Sequence, residues 1–355
     1  MRVARLHGAG DLRVGDEPAP CSDAVRSYPA GTADDHCRVR ILSAGLCGSD
    51  LHWFTEGAIG DAVLARPLVP GHELSGLVLD GPLAGAVVGI DPAVPCGQCP
   101  VCRRGAGHLC PDVAFAGHGG VDGGLQEELV WPLAQLHRLP DGFGAAEGAL
   151  LEPLGVAVHA LDLSHLRAGC GVGVIGCGPI GLMLVQLAVA AGAQVAAVEP
   201  LAHRREAARR AGAVVVLQPQ ELSRGPLDGC EVVFEVSGSD GGVAAAGALV
   251  APGGRIVLVG IPDGDRTTLR ASPFRRKGAT LAFVRRMTED AYRRGIGLAG
   301  DRVVDLSWLT THRFPLEQAA EAFAVAVARE GLKVVVDVTP SGLAAGAMPV
   351  IGRSE

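Results

Sequence analysis

Apolar positions along this chain fall into two textures. Up to about residue 140 they come as short β-branched runs broken by Gly and Pro, such as Cys37–Leu42, Gly76–Leu79 and Leu129–Trp131. That pattern predicts a small, irregular β-rich domain with long loops. From about Cys170 the runs alternate in kind. Val172–Ile175 predicts a strand, Pro179–Ala191 an apolar helix, Gln194–Val198 a second strand, and Leu201–Ala211 an Arg-rich helix. Ala213–Leu217, Glu231–Val236 and Arg255–Gly260 continue the strands, with a small-residue helix near Gly242–Leu249. Strand and helix in alternation mark an α/β unit on a parallel sheet, and strands that are apolar throughout suit a sheet covered on both faces. Thr280–Val284 reads as an edge strand. After about residue 295 the alternation stops, leaving a helix over Pro315–Arg329 and a last strand from Lys333. The polar stretch 21–35 reads as a surface insertion and 341–355 as a loosely packed tail.

Length and composition narrow the class. A chain of 355 residues corresponds to two domains at about 150 residues each. With 48% apolar and 19% charged residues and a mean hydropathy of +0.30, the chain holds ample core material and is no disordered polymer. The net charge of -7 opposes a broad polyanion-binding face, so no nucleic-acid partner is expected. The first residues form no apolar leader and no window approaches 18 uninterrupted apolar residues, so no membrane partner is expected and the location is read as cytoplasmic. Of the 31 basic residues, only Lys277 and Lys333 are lysine.

The first candidate chemistry lies between the first strand and helix of the α/β unit. Gly176-Cys-Gly-Pro-Ile-Gly181 is G-x-G-x-x-G in its strand-turn-helix setting. Gly176 permits the tight turn, Gly178 lets the backbone approach a pyrophosphate, and Gly181 lets helix and strand pack closely. Pro179 and Ile180 open the helix, whose N-terminus faces the phosphates. Glu199 ends the second strand, where a carboxylate accepts hydrogen bonds from the ribose hydroxyls of NAD and repels the 2′-phosphate of NADP. Arg204 and Arg205 lie within reach of a phosphate, although a solvated helix face describes them as well. Val259 and Ile261 follow a parallel strand at its ligand-binding end and are expected to line the nicotinamide.

Ten cysteines in a chain of this kind suggest metal before disulfides. Cys96, Cys99, Cys102 and Cys110 sit on one Gly- and Pro-containing loop with spacing suited to a closed tetrahedral Zn²⁺ site, a structural ion. An iron–sulfur cluster or a nucleic-acid zinc knuckle would use similar spacing; the acidic charge and the lack of a partner redox motif disfavour both. His108 is a spectator, since four sulfurs complete the shell. A second set is dispersed: Cys47-Gly-Ser49-Asp50-Leu-His52, Gly71-His72-Glu73, and Glu152. One thiolate, one imidazole and one or two carboxylates make an incomplete shell, the mark of catalytic zinc. Taken singly, each is equally a buried cysteine or a hydrogen-bonded core histidine.

Gly45-Leu-Cys47-Gly-Ser-Asp-Leu-His52, Gly71-His72-Glu73, the four-cysteine lobe and Gly176–Gly181, in that order and spacing, resemble the zinc-dependent medium-chain alcohol dehydrogenases over nearly the whole chain. The segments His52–Asp61 and Leu151–Ala160 are most similar to the sorbitol (polyol) branch, where a glutamate replaces the third, cysteine ligand of the catalytic zinc. Animal sorbitol dehydrogenases lack the cysteine lobe present here, so the bacterial polyol, threonine and cyclitol enzymes are the better comparison. The resemblance implies a GroES-like catalytic domain over 1–155 with a zinc lobe at about 95–111. It implies further a Rossmann doubly wound domain over 156–294 and a return to the first domain over 295–340. It implies that Cys47 and His72 bind catalytic zinc, with Glu73 as direct or alternating ligand and Glu152 as ligand directly or through water.

The expected reaction is hydride transfer from a secondary alcohol to C4 of NAD, giving a ketone. Zinc acts as Lewis acid, and Ser49 and His52 relay the hydroxyl proton to solvent. Alternatives are an NADPH-dependent carbonyl reductase of the same fold and a non-catalytic nucleotide-binding protein. Trp53 and Phe54 either wall the substrate pocket or belong to the core, Asp50 bonds loop N–H groups, and Cys21, Cys37, Cys170, Cys177 and Cys230 are small apolar fillers. The partner is an alcohol or ketone, and a homodimer or homotetramer is expected.

Overall fold

The computed structural model describes residues 1–20, 36–222 and 229–339. The 21–35 insertion and the 341–355 tail of the preceding section lie outside the described residues. Two large sheets organise the molecule, each over its own apolar core.

The first sheet is mixed and seven-stranded. Its order is Leu136–Arg138, Val87–Ile90, Glu73–Val78, His36–Gly45, Lys333–Asp337 and Thr310–Pro315, and Glu128–Pro132 pairs beside His36–Gly45. Val39, Ile41, Leu74, Val88, Ile90 and Trp131 bury one face of it. Register is what matters for chemistry. Gly45 stands opposite Glu73 on one side and opposite Val335 on the other. Because the chain leaves Gly45 toward Cys47 and enters Glu73 from His72, this pairing sets Cys47, His72 and the start of the last strand side by side.

The second sheet has six strands, all parallel, in the order Val215–Leu217, Gln194–Val198, Gly171–Ile175, Cys230–Glu235, Val250–Leu258 and Thr280–Phe283. The direction of winding reverses between Gly171–Ile175 and Cys230–Glu235, and such a switch point opens a crevice at the carboxyl ends of the strands. Helices Pro179–Ala190, Ala202–Arg210, Asp240–Leu249 and Ala271–Lys277 connect the strands. Thr280–Phe283 is an edge strand, with Phe283 exposed.

Three elements differ from the sequence reading. The helix expected over Pro315–Arg329 begins only at Ala319; Thr310–Pro315 is an edge strand with period-two burial, followed by a single 3-10 turn. The last strand of the parallel sheet but one starts at Val250 rather than Arg255. Helix Glu289–Gly300 has no counterpart in the sequence reading; Gly295 lets it lie against Leu154 and Gly155, where a Cβ would already be 3.4 Å from Leu154. Its partner, helix Leu151–Ser164, runs unbroken through the expected boundary at 155/156. Among the described residues no helix is long and apolar enough to cross a membrane.

Candidate active site

The four-cysteine lobe is the tightest cluster. All four sulfurs lie within 4.8 Å of one another, with Cys96 Sγ 3.9 Å from Cys102 Sγ and Cys99 Sγ 4.0 Å from Cys110 Sγ. Tetrahedral zinc with Zn–S bonds of about 2.3 Å requires S···S edges of about 3.8 Å, so the set fits zinc. Backbone N–H groups of Cys96, Cys99 and Cys102 donate to Cys110, Cys96 and Cys99 sulfurs at 3.4 Å each. Hydrogen bonds from the Gln98 and Cys99 backbone bring the Cys96 thiol down to about 7, whereas desolvation and the neighbouring sulfurs push Cys102 up to about 12. Four thiols held so closely ionise together only around a cation. His108 stands outside this shell, its ring against His159 and its carbonyl accepting from Arg286.

The dispersed set gathers where the first sheet ends. Cys47 caps helix Gly48–Glu56, in contact with the buried His72 ring. Asp50, fully buried, accepts from the N–H of Cys47 at 3.0 Å and of Gly71 at 3.1 Å, and its Oδ1 lies 3.4 Å from His72 Nδ1. It therefore does more than tie loop N–H groups: it orients the imidazole, leaving Nε2 on the side of Ser49. Burial alone would lower the His72 pKa; the charges of Asp50 and Cys47 outweigh it and hold it well above its ordinary value. This spot attracts positive charge, which is the electrostatic requirement of a metal site. Glu152 opens helix Leu151–Ser164 and is buried, its carboxyl pushed up to about 8 by desolvation against the opposing pull of His72. The donor atoms of Cys47, His72 and Glu152 are spread more widely than the four sulfurs.

Glu73, expected as a direct or alternating ligand, has a charged partner of its own. Its carboxylate forms a buried ion pair with Lys333 Nζ, which also donates to the Leu46 carbonyl at 2.8 Å. Gly45 makes room for the pair, since a Cβ there would fall 2.1 Å from Glu73 Oε2. Lys333 is a residue beside the site that sequence reading missed; its only signal was rarity, one of two lysines in a chain that otherwise uses arginine.

Ser49 Oγ stands 3.4 Å from His72 Nε2. His52, three residues on and on the same helix face, has its Nδ1 2.8 Å from Glu56 Oε1. Trp53 is core, packed with Leu6 and Leu68 and touching the His118 ring at 5.4 Å between centroids. Phe54 packs on Phe323, 5.0 Å between centroids. Phe115, against His72 at 5.4 Å, and His118 are the aromatic groups that approach the site instead. Both come from the segment that follows the lobe, Phe115 from the short strand Ala114–Phe115, and had no sequence signature.

At the crevice of the parallel sheet, Gly176 has φ 92°, and a Cβ on Gly181 would lie 2.0 Å from the Gly176 carbonyl. Only glycines close this turn. Gly178 is the N-cap of helix Pro179–Ala190, with Pro179 at its first position and Ile180 next. A Cβ on Gly178 would meet nothing nearer than Arg204 Nη1 at 3.8 Å, so the space before the helix is open to a pyrophosphate. Glu199 accepts from Cys177 N–H at 2.8 Å and Leu201 N–H at 2.9 Å, pinning the turn beside the second strand. Arg204 is half-buried and donates to the Gly331 carbonyl at 3.0 Å, which corrects its reading as a solvated face and ties the nucleotide crevice to the other half. Val259 is half-buried and Ile261 exposed at the end of the fifth strand. Cys37, Cys170, Cys177 and Cys230 are buried free thiols, and Cys21 lies outside the described residues.

Comparison with known proteins agrees with this geometry. Residues 179–299 match the family described as zinc-binding dehydrogenase, and residues 33–141 the alcohol dehydrogenase GroES-like domain. Sorbitol dehydrogenase of Bacillus subtilis is 31% identical over 95% of this chain and 97% of its own. Human sorbitol dehydrogenase is 33% identical over 95% of each chain. The crystal structure of galactitol-1-phosphate dehydrogenase from Escherichia coli superposes with a TM-score of 0.81 at 28% identity, covering 95% of this chain and 100% of that one.

Proposed function

The chain belongs to the zinc-dependent medium-chain alcohol dehydrogenases, and from that premise we propose that it oxidises a secondary hydroxyl of a polyol, cyclitol or related polar alcohol to the ketone with NAD. The relatives supply the substrate class: two are named for sorbitol and one for a sugar-alcohol phosphate. We take 1–155 with 295–340 as the catalytic half and 156–294 as the cofactor half. The edge position of Thr280–Phe283 and the exposed Phe283 favour a homodimer that continues the parallel sheet, alone or within a homotetramer.

The observation that carries the reading is the division of labour between two glutamates. Glu73 is ion-paired with Lys333, whereas Glu152 is a buried carboxyl that feels the charge of His72 and, more weakly, of Lys333, and forms no ion pair of its own among the described residues. Cys47, His72 and Glu152 would hold the catalytic zinc, and Cys96, Cys99, Cys102 and Cys110 the structural one. Zinc, when bound, supplies Lewis acidity that eases loss of the substrate's hydroxyl proton, and the nicotinamide supplies the hydride acceptor. Ser49, next to His72, takes the hydroxyl proton, and His52, with 14% side-chain exposure, hands it to solvent. Asp50 keeps the His72 ring turned for ligation. Gly176, Gly178 and Gly181 admit the pyrophosphate, Arg204 lies at its edge, Glu199 faces the ribose, and Val259 and Ile261 flank the nicotinamide. A carboxylate at the ribose position disfavours a 2′-phosphate.

The test is initial-rate reduction of NAD and NADP over a panel of sugar alcohols and cyclitols, with elemental analysis of zinc. Two zincs per chain and a clear NAD preference are expected. Glu152→Gln should lose one zinc and turnover, and Glu73→Gln should keep both ions. Preference for NADP would refute the role given to Glu199, and retention of both zincs by Glu152→Gln would refute the ligand set.

A further inference from the structure

Apart from the four cysteines, one other set of potential ligand atoms among the described residues converges within 4.8 Å: His52, Glu56 and Asp263. We propose that these three residues form a third zinc site, which bridges the two halves of the molecule at the mouth of the cleft and stops turnover when filled. His52 and Glu56 are one helical turn apart on Gly48–Glu56, the spacing at which two side chains present donors to a single point, and they are already 2.8 Å apart. Asp263 comes from the opposite half, in the turn Asp263–Asp265 that follows strand Val250–Leu258. Zinc bonds to imidazole nitrogen and carboxylate oxygen of about 2.0–2.2 Å keep two donors of one ion within about 4.4 Å of each other. The observed spread therefore closes with a small side-chain rotation. One imidazole and two carboxylates with a free position for water is a donor set suited to zinc.

The two loops are built to meet. A Cβ on Gly60, just past the helix, would lie 2.9 Å from Asp265 Oδ1, so glycine there lets the Asp263–Asp265 turn seat against the catalytic half. The carboxylates are open to ions from solvent, Glu56 having 38% side-chain exposure and Asp263 being exposed. An ion bound here takes the imidazole lone pair that His52 needs to accept a proton. It also links the cofactor half to the helix carrying Ser49 and His52, resisting the opening that releases product. The control of turnover rests on the relay role of His52 given above; the metal site does not.

The experiment titrates the untagged two-zinc holoenzyme with zinc at buffered free concentrations, following bound metal by elemental analysis and initial rate in parallel. A third equivalent should bind, and turnover should fall as it does. Asp263→Asn should keep two zincs and the wild-type rate in the absence of added zinc, while affinity for the third ion and sensitivity to inhibition drop by about tenfold or more. Glu56→Gln, read by metal content alone, should lose the third ion as well. A count that stays at two at saturating free zinc, or a third ion held equally well by Asp263→Asn, overturns the site. A third ion lost in Asp263→Asn with inhibition unchanged overturns its control of turnover. Failure of the alcohol-oxidation reading would show separately, as absence of turnover on every substrate with the metal count intact.

Discussion

The four-cysteine lobe draws its sulfurs from one stretch, Cys96 to Cys110, whereas the proposed catalytic set draws Cys47, His72 and Glu152 from a helix cap, the approach to a strand and the first turn of another helix. The lobe closes over a short loop, so little chain entropy opposes it, and backbone N–H groups of the same loop satisfy its sulfurs. Cys47 and His72 of the proposed catalytic set are brought side by side by the pairing of Gly45 with Glu73 and Val335. One site is a local property of sequence, and the other is a property of sheet register.

Removing a ligand from each site gives the sharpest contrast. Cys47→Ala should lower kcat by about a thousandfold or more, since it removes charge stabilisation worth several kcal/mol, while one zinc remains and NAD affinity, read by fluorescence titration, stays within about twofold. Cys99→Ser should also lose one zinc, but the damage should appear as proteolytic cleavage within 96–110, with kcat falling by no more than about tenfold. Equal losses of kcat would erase the distinction between the sites.

Lys333→Met tests whether register and chemistry are coupled through the buried pair. It leaves Glu73 charged and unpartnered among buried groups, at a cost of about 3 kcal/mol in urea unfolding. Adding Glu73→Gln should return most of that stability. A single-variant loss below about 1 kcal/mol would show that solvent or rearrangement already serves Glu73.

The last effect concerns the scaffold shared by both regions. Asp91 ends the strand that leads into the lobe and lies near Tyr292 and Glu152; burial pushes its carboxyl from 3.8 up to about 7. The folded chain therefore holds a proton that the unfolded chain releases, and stability from neutral Asp91 is present at acid pH and lost as pH rises to about 7. Asp91→Asn, which keeps an acceptor for the Ala93 N–H, should be more stable than the wild type at pH 8, a gain that shrinks toward about pH 4. A gain independent of pH would assign the effect to packing.

What could be read in advance follows the same division. The parallel sheet and the glycine turn were legible because they depend on period and on φ angles that only glycine tolerates, as at Gly176. Helix Glu289–Gly300 was not legible, because its glycines serve a close helix contact rather than a turn. Glu73 and Glu152 looked alike as candidate ligands, and nothing in their neighbours along the chain separated them. Phe115 and His118 carried no motif, since an aromatic wall is defined by what it faces.

By itself the sequence determined the fold family, the glycine turn and the four-cysteine lobe, because each is encoded in motifs whose spans are short enough for local geometry to act. Tertiary structure alone decided that Lys333, nearly three hundred residues from Gly45, neutralises Glu73, that Asp50 turns His72, and that Asp263 meets His52 and Glu56 across the cleft. Charge partners of this kind are chosen by distance through space in a buried, low-dielectric setting, and separation along the chain carries no record of that distance.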